Sequence, residues 1–414
     1  RQAAAAQLPN TVESVIALLA VLRAGMIAAP LPLLWRQADA AVALQRVGAR
    51  ALIACRQIGE VDYGEIAMQL AAETFSIRFV GAFGDNLPDG VVPLDDIFSE
   101  HAEAPAFDCD ADHAALVTFD VAADGIVPVT RSHAELIAGG LAVHLEARVE
   151  TDATLIGTLA LASFAGLATT VVPWLLAGGT LALHHPFSPA AFAAQCADNP
   201  GAVVIVPAPL VTRLADAGLV GDDGPVLAVW RAPERLAGAA PWMAKAARIE
   251  IAVFGEVALV VAGRGADGAA TVRAGRVTVP QGAAAGIHVL DVARSAAGTL
   301  VLAGPMVPRG GDGGGVDTRY PCKFDRESNQ LVIDGPPAGL VSVGGYRFAL
   351  GALQELISEI DGGGTLAALP DILAGQRLAG VAADRNAICD ALLARGANPL
   401  VIAAFRARRA DRAA

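Results

Sequence analysis

The sequence predicts a large layered α/β N-terminal domain with a small antiparallel β subdomain, followed by a small α+β C-terminal domain. Three observations predict it. Strand-like and helix-like segments alternate from the start to about residue 250. Short strands broken by glycine and proline then take over until about residue 334. The turn-rich segment "DGPPAG" (334–339) separates this body from a short tail of mixed pattern. The expected division is a domain over 1–334, with its antiparallel part at about 250–334, and a second over 335–414.

Each element has a local reason. "NTVESVIALLAVLRAG" (10–25) reads as a helix, with Asn10 or Thr11 to cap it, Glu13 near its positive end and Gly25 to close it. "MIAAPLP" follows as an apolar strand, "ADAAVALQRVGA" as a second helix and "RALIAC" as a second strand. "ALVTF" is a strand and "HAELIAGGLAVHL" a helix. "GTLALH", "PAAFAAQCA", "AVVIVP" and "APLVTRLADAG" continue the alternation as strand, helix, strand and helix. Beyond Glu250, "IEIAVFGEVALVVAGRG", "ATVRAGRVTVPQG", "GIHVLDVA", "GTLVLAGP" and "NQLVIDG" are short strands. The tail begins with the hairpin "LVSVGGYRF" and the helix "LGALQELISEI", and closes with a helix and a strand ending in "PLVIAAFRARRADRAA". Its last arginines read as a solvated end.

Composition narrows the function classes. Apolar residues make up 54% and charged residues 17%, which supports sizeable cores. A net charge of −12 argues against nucleic-acid or anionic-membrane binding, which needs a basic surface. Cys55, Cys109, Cys196, Cys322 and Cys389 form no CxxC pair, as expected of reduced thiols in a cytoplasmic protein. The histidines lack zinc spacing, so no metal site is expected. The stretch from Ala153 to Leu183 carries no charge, yet it divides into the strand "TLIGTLAL", a short core helix through Pro173 and the strand "TLAL". It is read as buried sheet and helix, with no membrane span. The abrupt opening "RQAAAAQLPN", without a signal peptide, suggests that upstream residues are missing.

Two stretches imitate phosphate sites. "GRGADG" (263–268) satisfies GxGxxG but precedes a strand, so it offers no helix N-terminus to a pyrophosphate and reads as a turn. "TFDVAADGIVPVTRSHAEL" (118–136) has the outline of a phosphate loop: strand, glycine-bearing loop, polar run, helix. It contains one glycine, Gly125, no lysine, and two acids, Asp120 and Asp124. An acid about 6 Å from one phosphate charge costs ~3 kcal/mol at an effective dielectric of about 20.

The order of motifs resembles the acyl-adenylate-forming superfamily, which includes acyl-CoA synthetases, luciferase and the adenylation domains of peptide synthetases. "QLPNTVESVIALLAVLRAGMIAAPLP", "LALASFAGLATTVVPWLLAGGTLAL", "IAVFGEV", "GTLVLAGPMVP", "VDTRY", "GPPAGLVSVGGYRF" and "ALPDILAGQRLAG" fall in that family's order and cover nearly the whole chain. The resemblance implies two-step chemistry: a carboxylate attacks the α-phosphate of ATP to give acyl-AMP and pyrophosphate, and a thiol, usually coenzyme A, then displaces AMP. ATP or AMP, coenzyme A and a magnesium ion are the implied cofactors, with none covalently bound. A small-molecule carboxylate is the implied partner, and fatty acid metabolism the implied setting.

The same resemblance distributes roles. The phosphate loop of the family falls on 118–133, with its lysine at Val127, its last glycine at Asp124, its first glycine at Val121 and its paired hydroxyls at Ala122 and Ala123. Only Ser132 and His133 survive, and His133 reads as a helix-start residue. Phe254 and Gly255 fall on an aromatic-glycine pair that binds the nucleotide, and Asp317 on its ribose acid. The following hydroxyl and magnesium-linked acid become Val257 and Ala258; Glu256 is one step away, and strand alternation would point it elsewhere. Ser163, Phe164 and Trp230 fall at the acyl pocket. Gly344, Gly345, Tyr346 and Arg347 match a loop that faces the site during thioester formation. The hinge arginine and acid become Pro336 and Ala338, and the family's last lysine has no counterpart in the sequence. Trp35 and Trp174 are expected in the core. Two readings stay open: an AMP-forming acyl-CoA synthetase acting on an apolar acid, or a non-catalytic relative that binds acyl-CoA or acyl-adenylate, as a homodimer or as a subunit of an assembly.

Overall fold

A computed structural model describes residues 2–95, 110–220, 223–238, 242, 244–263, 272–283, 285–309, 314–327 and 330–406. Cys109, most of "GRGADG", the centre of the loop 308–317 and the last eight residues lie outside the described residues. The chain is mixed α/β, as expected.

Two mostly parallel sheets form its body. The first has seven strands in the order Val92–Pro93, Phe79–Phe83, Ala51–Cys55, Ala3–Gln7, Ile27–Pro30, Ala114–Ala122, Gly125–Ser132. The second has six, in the order Thr180–Leu183, Thr154–Gly157, Val203–Pro207, Val226–Trp230, Arg248–Phe254, Ala258–Gly263. In each, every neighbouring pair is parallel except the last, which is an antiparallel hairpin. The two hairpins bring the sheets together. Helices cover the sheet faces, so the central strands are apolar throughout: "VVIVP" and "VLAVW" are buried almost end to end.

One strand comes without an expectation, and three expectations are corrected. Ala3–Gln7 is a strand at the centre of the first sheet, although the alanine run gives no periodicity to read. The strand beginning at Thr154 stops at Gly157, short of "TLAL". The antiparallel sheet starts at Val272 rather than about 250, because Arg248–Phe254 joins a parallel neighbour, Val226–Trp230. Its order is Val272–Arg273, Gln330–Ile333, Val316–Asp325, Thr299–Ala303, Ile287–Arg294, Gly275–Val279. "PLVIA" is helical, not a strand: Asn398 caps Leu400 N–H and Pro399 occupies the first turn.

The uncharged stretch folds as a helix from Phe164 to Ala177, with a π-turn over Leu167–Val171 just before Pro173. The π-turn absorbs the hydrogen bond that proline cannot donate. Among the described residues no helix is long and apolar enough to cross a membrane.

From Leu340 onward a four-stranded antiparallel sheet, Tyr346–Ala349, Leu340–Val343, Gly375–Val381 and Thr365–Asp371, packs on helices Leu350–Ile360 and Arg385–Ala394 around its own core. The expected hairpin and the helix after it are both present. This tail also touches the first sheet's helix Gln37–Val47: Ala38 N–H donates to the Gly396 carbonyl at 3.2 Å. Beside that contact Asp39 lies under Asn398, and burial pushes its carboxyl up to about 6. An acid whose folded pKa is raised binds more protons folded than unfolded, so stability falls as pH rises from about 4 to about 6. Asp39→Asn is expected to raise the melting temperature by a few degrees at pH 7.5 and to have no effect near pH 4. A melting series across that range checks it.

Candidate functional site

The carboxyl ends of the parallel strands converge on a cavity of about 490 Å³. This is where open α/β sheets place ligands, because the chain must turn there and leaves a crevice. Strands ending at Gly157, Pro207, Trp230 and Phe254 feed its walls with the segments 158–166, 207–210, 229–232 and 253–256. Phe119 and Asp120 enter from the first sheet's hairpin, and the loop Gly344–Phe348 with Leu373 and Ala374 closes the cavity from the tail.

The phosphate-loop segment is no loop. Ala114–Ala122 and Gly125–Ser132 pair in antiparallel register as far as Ala122 opposite Gly125, so only Ala123 and Asp124 turn the chain. Gly125 takes a φ of 109°, which suits glycine at such a tight turn. Asp124 is exposed at the tip. Val127 lies directly across from Asp120, so a side chain at 127 shares a face with that carboxylate. His133 opens the helix His133–Glu146, which Ser132 and Glu135 cap reciprocally. None of Asp124, Gly125, Val127 and His133 lines the cavity.

Asp120 does, and its partners define the site. Its Oδ1 is 2.7 Å from Arg347 Nη1, and its Oδ2 accepts Glu256 N–H at 3.1 Å. The second sheet's hairpin can approach this closely because residue 255 is glycine: a Cβ there would lie 2.0 Å from Asp120 Oδ2. Arg347 also donates to the Tyr320 hydroxyl and lies over that ring at 5.2 Å. Burial pushes the Tyr320 hydroxyl up to about 12, so it stays protonated at neutral pH.

Glu256, which strand alternation would point elsewhere, lines the cavity. It occupies the turn between two strands, where strand alternation does not apply, and its carboxylate is buried against the cavity. Phe164 N–H donates to it at 2.6 Å, and Arg231 Nη2 lies 3.4 Å away. Burial raises its pKa, against the opposing pull of Arg231. Arg231 follows the buried strand Val226–Trp230, and a charged residue at the carboxyl end of a parallel strand is the signal that could have found it. Gly345 lets the tail loop pass over it, since a Cβ there would lie 2.8 Å from Arg231 Cδ. Arg235 donates to the carbonyls of Ile372 and Leu373, tying down the loop between the tail's last two strands.

Behind the site lies Arg131, fully buried. It donates to the Met306 carbonyl, to the Glu256 carbonyl at 2.5 Å and to the Val257 carbonyl at 3.1 Å. Its guanidinium lies 3.6 Å from the centre of the Phe164 ring. One side chain thus ties together the first hairpin, the second hairpin's turn and the turn that follows the strand Thr299–Ala303.

Other expected residues fall as follows. Ser163 lines the cavity and caps the helix behind it, accepting Gly166 N–H at 3.1 Å. Trp230 and Gly255 line it as well. Phe164 does not; it lies beneath Arg131. Phe254 is buried edge-on against Tyr320, with centroids 5.3 Å apart, and presents no face to a purine. Asp317 is exposed on the antiparallel sheet, holding Thr299 Oγ1 at 2.8 Å and Arg319 N–H at 2.8 Å, away from the cavity. Trp35, expected in the core, is buried and also forms cavity wall. Asp120 and Glu256, the carboxylates at the cavity, each face an arginine, so neither offers a magnesium ion an unpaired carboxylate.

Residues 2–310 match the family model described as AMP-binding enzyme. The fold is similar to that of a malonyl-CoA ligase solved as a ternary product complex with methylmalonyl-CoA and AMP bound (18% identity, 98% of this chain and 88% of that one, TM-score 0.69). It is similar to an amide bond synthetase from Marinactinospora thermotolerans (17% identity, 97% and 85%, TM-score 0.72). It is also similar to a double mutant of o-succinylbenzoate CoA synthetase from Bacillus subtilis (13% identity, 92% and 78%, TM-score 0.67). No curated protein sequence matches the chain.

Proposed function

The chain belongs to the AMP-binding enzyme family, and from that premise we propose that it binds an apolar carboxylic acid in the cavity, with the carboxylate on Arg231. One observation carries this reading: Arg231 reaches the cavity with its acid partner, Glu256, only at 3.4 Å, whereas Arg347 is held at 2.7 Å by Asp120. Of the three arginines that line the cavity, Arg347 is held by Asp120 and Arg235 by the carbonyls of Ile372 and Leu373, which leaves Arg231 with donors to offer, and a planar guanidinium suits a carboxylate. Apolar walls and one convergent cation are what an acid with a hydrophobic body needs.

On this reading residues 1–334 supply the cavity and 335–414 cover it, with 334–339 as the hinge. The ligand enters without a phosphate cradle, because the segment at 118–133 is a tight hairpin that carries no lysine.

A second reading keeps the ligase chemistry: acid and ATP give acyl-AMP and pyrophosphate, and a thiol then takes the acyl group and releases AMP. The loop Gly344–Arg347 bordering the cavity favours it, since the resemblance assigns that loop to thioester formation.

A panel of apolar carboxylic acids, titrated with and without ATP, magnesium and coenzyme A, separates the two. Saturable acid binding without ATP is expected, weakened at least tenfold by Arg231→Ala, with no pyrophosphate released. Acid-dependent pyrophosphate release would establish the second reading. No binding of any acid would end the first.

A further inference from the structure

Aromatic residues are scarce in this chain, at 5%, yet they gather at one place. Of 13 Phe, 4 Trp and 3 Tyr, the cavity wall takes Trp35, Phe119, Trp230, Tyr346 and Phe348. These five come from four segments far apart in sequence, with Tyr346 and Phe348 on one strand, so no single amphipathic element brings them all together. Elsewhere the cores are filled chiefly by Ala, Val, Leu and Ile.

Several of these rings are fixed before any ligand arrives. Trp35 packs on Phe119 with centroids 5.6 Å apart and planes at 59°. The Trp230 indole N–H donates to Glu250 Oε2 at 2.6 Å, and Arg248 grips the same buried carboxylate at 2.7 Å. Arg248 and Glu250 are themselves buried, 5% and 1% exposed, so the indole is anchored in the protein interior. Pro32, Pro207 and Pro209, which also line the cavity, further limit backbone adjustment there. Such a wall holds its shape when empty.

From this we infer that the ligand is an aryl carboxylic acid, a flat one- or two-ring acid, rather than an alkyl chain. The inference rests on the acid-binding reading above and sharpens it. Fixed rings favour another ring placed edge-on or offset at 4.5–7 Å, where the quadrupoles match. A flexible alkyl chain would fill the same space without that match and would lose rotational freedom on binding. The carboxylate sits on Arg231 in both cases, so the body of the ligand alone decides the preference.

Calorimetric titration of the whole chain with carbon-matched acids tests it: cinnamate against nonanoate, and 2-naphthoate against undecanoate. The aryl acid is expected to bind at least tenfold tighter in both pairs. Trp35→Leu and Phe119→Leu are each expected to narrow that ratio to under threefold. Arg231→Ala should weaken both series alike. If the alkyl acids bind as well as the aryl acids in the unaltered protein, through Arg231, this inference falls and the acid-binding reading stands. If no acid of either series binds, both fall. The wild-type comparison decides the matter even where a ring variant fails to fold.

Discussion

Arg131→Met is expected to destabilise the protein by about 3–5 kcal/mol, the range for breaking a fully buried charged network. Methionine keeps much of the length and volume but removes the charge and all the donors. The carbonyls of Met306, Glu256 and Val257 then lose their buried partner, and an unpaired buried carbonyl costs about 1–3 kcal/mol. The contact with the Phe164 ring goes as well. Burial pushes the Arg131 guanidinium down to about 10, so it remains charged at neutral pH and the network is intact under ordinary conditions. Arg131→Lys should recover only part of the loss, since one ammonium cannot span carbonyls on two separate segments. Denaturant unfolding of the three proteins checks this. A loss under about 1 kcal/mol for the methionine variant would show that the stitching is not needed.

The second large effect lies at the pair that holds the tail over the cavity. Arg347→Met is expected to cost about 2–4 kcal/mol of closure, because it strands the carboxylate of Asp120. Asp120 would keep the N–H groups of Glu256 and Val121 as partners, which limits the penalty. Adding Asp120→Asn should restore much of the loss, as removing the second charge removes the orphan. Hydrogen exchange at 340–349 and proteolysis at 334–339 report the closure. Losses that simply add in the double variant would mean that the two residues act independently.

Much of this architecture could be read from the chain, for identifiable reasons. Helices such as Val12–Arg23 and Leu350–Ile360 declare themselves through apolar spacing, and the tail hairpin through its glycine pair; the expected cap fails, since Thr11 makes no side-chain cap bond and Asn10 donates to the Gly157 carbonyl instead. Ala3–Gln7 could not be read, because alanine favours helix and the strand forms only between two neighbours that supply its hydrogen bonds. "PLVIA" looks like a strand by composition, and a cap with a first-turn proline makes it a helix. Within the site, positions carried over by resemblance fixed where the cavity is but not which side chains face it. Asp120, Ser163, Gly255 and the loop Gly344–Arg347 line it; Phe254 and Asp317 do not. Glu256 is set aside and Arg231 not singled out by the sequence, because their importance depends on a turn and a strand end meeting across two sheets.

The hairpin at 114–132 fixes the direction of its backbone donors. A phosphate cradle works when successive backbone N–H vectors converge on one point, which needs alternating right- and left-handed backbone. In an extended strand successive N–H vectors point to opposite sides, so no two neighbours can reach the same anion. The ladder from Ala114–Ser132 to Ala122–Gly125 therefore disperses the donors that a cradle would gather. Installing a lysine at 127 leaves that dispersal untouched and sets the new ammonium across from Asp120. Regaining a cradle here demands that several ladder bonds open together. Single side-chain replacements that leave the ladder intact therefore cannot aim two neighbouring N–H groups at one anion.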